Sequence, residues 1–73
     1  MEPTQDYLNR KLGTVGLTKQ QCLQRLAGPA GEGRTAQEAA NLYAGTVGST
    51  IQDALNVKAG TVGLTTQDAS RRI

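Results

Sequence analysis

Residues 41–69 read NLYAGTVGSTIQDALNVKAGTVGLTTQDA, in which the phrase AGTVG-x-T-x-QDA occurs twice, 15 residues apart. Working outward, its marker, a Gln followed by a polar residue, falls at Gln5, Gln20, Gln37, Gln52 and Gln67, at intervals of 15, 17, 15 and 15. Two residues before the last four markers stand Thr18, Thr35, Thr50 and Thr65, and Pro3 takes that place in the first. One residue after the markers come Asp6, Gln21, Glu38, Asp53 and Asp68. This is helix-start chemistry. A threonine at N-cap accepts from the backbone amide three residues on, and a Glu or Gln there reaches back to the cap's own amide. The pairs Thr18/Gln21 and Thr35/Glu38 have the full reach. Asp53 and Asp68 are shorter, but still favour the positive end of a helix.

The stops recur as well. Gly13, Gly28, Gly45 and Gly60 follow eight residues after their markers, where a glycine suits the left-handed position that ends a helix. A second glycine comes three residues later, at Gly16, Gly31, Gly48 and Gly63. Each unit therefore predicts a helix of about two and a half turns, roughly 13–15 Å long at 1.5 Å per residue. A tight Gly-x-x-Gly turn and the next cap follow.

Helices so short do not persist alone in water and must lean on one another. One apolar column runs Ile51, Leu55, Ala59, Val62, repeated as Leu8, Leu12, Val15 and as Ala36, Ala40, Ala44, Val47. It predicts an apolar stripe on each helix plus a packed valine from each turn. A second column, Tyr7, Cys22, Ala39, Ala54 and Ala69, is mostly small and lets helices approach closely. The expectation is an all-α single domain over 1–73, an array of four to five short capped helices that bury themselves by stacking. Its units are 3–17, 18–34, 35–49, 50–64 and 65–73. The segment 28–34, GPAGEGR, carries two extra residues and is expected to separate a front pair (1–28) from a rear set (35–73), as a longer loop rather than a hinge.

Composition limits what such a chain does. Eight Leu, four Val, two Ile and no Phe or Trp make a thin core for 73 residues. There is no histidine, so Cys22, Ser49 and Ser70 lack an imidazole to activate them, and no enzymatic activity is expected. The lone Cys22 is read as a packed thiol or a sign of a reducing compartment. One Cys, no His and widely separated acids offer no common zinc or calcium set, so no metal or cofactor is expected. No apolar run is long enough for a membrane span, and the opening MEPTQDYL does not read as a secretion signal, so a soluble chain made in a cytoplasm is expected.

Two features bear on binding. "AGTVGLTTQDA" bears a passing likeness to the glycine turn of a helix-hairpin-helix module, which grips the DNA backbone. An acid in nearly every first helical turn and a net charge of only +2 without a basic stripe argue against it. The fourth residue after each marker is Asn9, Gln24, Asn41, Asn56 or Arg71. Mid-helix amides are either a solvated face or a ladder bonding the backbone of the adjacent turn. Arg71 and Arg72 suit the negative end of a helix.

The stretch 41–69 resembles the AGT-x-GL-T-x-Q-[DE]-A-[LA]-N helical repeats of small virion structural proteins of tailed bacteriophages, which also occur at the ends of minor tail and head-associated proteins. The likeness covers 35–70 well and 5–28 fairly, and leaves out 29–34. It implies no catalysis but a module docked on other virion proteins, capsid or tail, with capsid decoration slightly ahead of a minor tail role. Localisation in the virion follows from the same resemblance, and copies of the chain itself are further candidate partners. Tyr7 and Tyr43, the only aromatics, are candidate partner anchors or core filler. Arg71, Arg72 and Ile73 close the truncated last unit, which another chain could complete. The alternative function is non-specific binding of the DNA backbone.

Overall fold

A computed structural model describes residues 2–73. Five helices, α1 (Thr4–Leu12), α2 (Lys19–Ala27), α3 (Ala36–Ala44), α4 (Ile51–Ala59) and α5 (Thr66–Arg71), follow one another, with a 3-10 turn at Pro29–Gly31 after α2. The described residues hold no strand, and the fold is all-α. The first four helices have nine residues each, the length expected between cap and glycine.

The caps form as their chemistry dictates. Thr18 Oγ1 accepts from the Gln21 amide at 3.2 Å, and Gln21 Oε1 accepts from the Thr18 amide at 2.9 Å. Thr35 and Glu38 close the same box, at 3.1 and 3.2 Å. The Thr35 amide and hydroxyl together hold the Glu38 carboxyl below the usual carboxylate range. Thr50 and Thr65 accept from the Asp53 and Asp68 amides, at 3.1 and 3.2 Å. No reciprocal bond from these shorter acids is present. Pro3 caps α1 through its backbone alone.

The amide column decides how each turn is held, and it is the ladder, not a solvated face. The Asn56 side-chain NH₂ donates to the Gln52 carbonyl at 2.8 Å and the Leu64 carbonyl at 2.9 Å. Its Oδ1 accepts from the Leu64 amide at 3.1 Å and the Thr61 hydroxyl at 2.8 Å. Asn9 binds Gln5, Leu17 and Thr14 in the same four ways, and Asn41 binds Gln37, Ser49 and Thr46. All three asparagines are buried with every polar atom satisfied, which is the condition for a stabilising buried amide. Leu17, Ser49 and Leu64 are each the residue just before the next cap threonine. In the second unit that residue is Arg34, two positions further along the chain. There the longer Gln24 donates to the Arg34 carbonyl at 2.7 Å. One extra methylene in the side chain accompanies two extra residues in the loop.

The left-handed helix ends occur at Gly13, Gly45 and Gly60, with φ of 74–77°, and Gly16, Gly48 and Gly63 also have positive φ. Gly28 departs from the expected cap. Its ψ is −161°, because the following Pro29 forces the residue before it into extended geometry. Gly31 departs too. It sits buried in the 3-10 turn without positive φ, and Gly33 supplies that conformation at 75°. Gly31 is required for space instead: a Cβ there would lie 2.7 Å from the Ala27 Cβ and 2.8 Å from the Gln24 carbonyl oxygen. Gly31→Ala is therefore expected to destabilise by about 1–3 kcal/mol, as overpacking does, measured by chemical denaturation. Gly33→Ala would act through backbone strain alone.

Packing follows the small-residue column. Cys22, Ala39, Ala54 and Ala69 are fully buried, as are Leu23, Ala40 and Leu55, while Tyr7 stays half-buried. The first column holds along the helices and fails in the turns. Val15, Val47 and Val62 are 95%, 98% and 94% exposed, not packed against the stack. The Asn ladder explains this: it draws the backbone and threonine of each turn against the helix, leaving the valine between the two glycines to point away. The segment 28–34 does not part the stack either. α2 packs more extensively on α3 than any other pair does, and the 3-10 turn rests on both.

Each helix meets its neighbours in the chain, and α1 also meets α5. The array is thus a closed ring, 30 × 28 × 14 Å. Gln67 donates to the Glu2 carbonyl at 2.8 Å, and the Arg71 guanidinium donates to that same carbonyl. The short last unit thus packs against α1 and bonds the N-terminal segment of its own chain.

Candidate partner-binding site

Closure brings residues from opposite ends of the chain onto one face. Tyr7, on the second turn of α1, donates weakly to the Arg71 carbonyl of α5 at 3.4 Å. Arg10, one turn further along α1, places its guanidinium 5.2 Å from the Tyr7 ring centre. Tyr43, near the end of α3, packs one side on the alanine and leucine core. The Lys58 ammonium of α4 lies 4.7 Å from its ring centre, within cation–π range. Burial pushes the Tyr43 phenol pKa up, and the nearby Tyr7 phenol raises it further. Both tyrosines are half-exposed. Tyr7 and Arg10 with the Arg71 carbonyl form one group and Tyr43 with Lys58 another, close enough for the Tyr7 phenol to act on that of Tyr43. Glu2 reaches the first group from the N-terminal segment, its carboxylate 3.0 Å from Arg10. That pairing holds the Glu2 carboxyl below its ordinary pKa.

Of the five residues expected to bind a partner, Tyr7, Tyr43 and Arg71 come together here. Ile73 packs against the core, and Arg72 is exposed at the end of α5. Arg10 and Lys58 were not singled out in the sequence. No periodicity links them, because the first follows Asn9 and the second comes two residues after Asn56.

A second exposed feature was also missed. The fifth residue after each marker is Arg10, Arg25, Leu42, Val57 or Arg72. This column faces outward, so in α3 and α4 it places apolar side chains in water: Leu42 is 44% and Val57 57% exposed. Leu42 shares a shallow groove with Val47, rimmed by Arg34 and Glu38. Val57 and Val62 occupy the same two positions of the next unit. The signal lay in the sequence, as an arginine column that turns apolar in two adjacent units.

The remaining thiol offers no chemistry. Cys22 is buried, and desolvation pushes its pKa up, only partly offset by Arg25, so it stays protonated and unreactive at neutral pH. Among the described residues no helix is long and apolar enough to cross a membrane. No protein-family model, curated protein or solved structure matches the chain.

Proposed function

We propose that this protein is a non-enzymatic structural component of a tailed-phage virion, made in the host cytoplasm and docked on other virion proteins. Capsid decoration is the first assignment and a minor tail role the second. The observation that carries the docking is the exposed apolar set Leu42, Val47, Val57 and Val62, one residue on the helix and one in the turn that follows it, at equivalent positions of the two adjacent units built on α3 and α4. Single exposed apolar residues are ordinary, but a set at equivalent positions of neighbouring units supports a protein interface. The likeness of 35–70 to repeats of phage virion proteins supports the choice of partner. A ring that already satisfies its own amides and caps is a rigid body, suited to presenting such a surface without ordering cost.

The test is association with purified particles. A Val47→Glu/Val62→Glu double variant should keep its helical circular dichroism, because both side chains stand in water. It should also lose most of its particle association, roughly tenfold or more, as charge placed in an apolar interface does. Immunolabelling of the parent protein on particles separates capsid from tail. A parent protein absent from particles would refute the proposal.

A further inference from the structure

We propose that the Tyr7–Tyr43 face is a docking site for an acidic segment of a partner protein. Two of the chain's eight cations, Arg10 and Lys58, lie over its only two aromatic rings, and Arg71, whose backbone carbonyl accepts from Tyr7, directs its guanidinium to the Glu2 carbonyl beside them. Half-exposed tyrosines beside cations suit a ligand that combines carboxylates with a main chain to lie along the rings. The charge is complementary to an acidic occupant. The carboxylates at this end of α1 are Glu2, which pairs with Arg10, and Asp6, one turn before it, so Lys58 is left without a carboxylate partner among the described residues.

The chain itself illustrates the mode of binding. Its N-terminal segment lies at the edge of the patch, with the Glu2 carboxylate on Arg10 and the Glu2 carbonyl accepting from Gln67 and Arg71. One acidic residue is thus held by a side chain and a backbone contact together. Lys58 has no carboxylate within ion-pair distance among the described residues, and the Tyr43 hydroxyl has no hydrogen-bond partner among them. An acidic segment laid across the rings from Arg10 towards Lys58 would use both. This face is separate from the Leu42/Val47 groove, and its occupancy does not depend on the virion assignment.

With no other aromatic residue in the chain, the ring resonances in NMR spectra report on this face alone. The intact protein is titrated with a glutamate-rich peptide, with the same peptide carrying glutamine for glutamate, and with a single-stranded oligothymidylate. The glutamate peptide should shift the resonances of both tyrosines, and the glutamine peptide should not. Arg10→Gln and Lys58→Gln should each weaken the affinity by about three- to fivefold, the range of an exposed ion pair, with helical circular dichroism unchanged. Rings unmoved by the glutamate peptide, tighter binding of the oligonucleotide, or affinity indifferent to both substitutions would overturn the inference.

Discussion

Replacing both Asn41 and Asn56 by alanine is expected to remove about 4–6 kcal/mol of stability. Each side chain makes four hydrogen bonds that tie one turn to its helix, and each is buried. Truncation strands the amide and carbonyl of Ser49 or Leu64, at about 2–3 kcal/mol per site once the unmet groups are counted. The two sites share no hydrogen-bond partner, so their costs add approximately. A domain of this size has a total stability of roughly 4–11 kcal/mol at 0.05–0.15 kcal/mol per residue, so the pair removes about half or more of it. Each single variant should melt about 10–20 °C below the parent, at 4–8 °C per kcal/mol. An unchanged melting temperature in either would mean that the turns do not depend on the ladder.

The second large effect separates inside from outside. Leu55→Ala empties a fully buried position among Leu23, Ala39, Ala40, Ala54 and Ala69 and should cost about 2–5 kcal/mol. Val62→Ala, seven residues later in what reads as the same apolar column, should stay within about 0.5 kcal/mol of the parent. Denaturant midpoints of the two variants decide it. Equal losses would place the turn valine in the core and remove the basis for an interface there.

Helix positions were legible because caps and stops are local chemistry. Thr18 binds Gln21, and Gly45 ends α3, through groups only a few residues apart. The ring was not legible. Nothing in Glu2 or Gln67 signals that they meet, since a contact between chain ends follows from the small rotation each unit adds to the last. The valines were misread for a related reason. A 3.6-residue period continued past Gly60 assigns Val62 to the buried side, whereas the left-handed glycine has already turned the chain away. For the binding face, Tyr7, Tyr43 and Arg71 were identifiable as chemistry, but Arg10 gains meaning only from its place one turn after Tyr7 on α1, and Lys58 only once α4 packs beside α3.

Closure also fixes the tally of units. A solenoid with free ends can gain or lose a module and merely change length. Here a sixth module spliced between α4 and α5 would move α5 off α1, releasing Gln67 and Arg71 from the Glu2 carbonyl and pulling Arg71 from the Tyr7 hydroxyl. Duplication, the ordinary way for such sequences to grow, would cost this molecule its seam and its tyrosine face together.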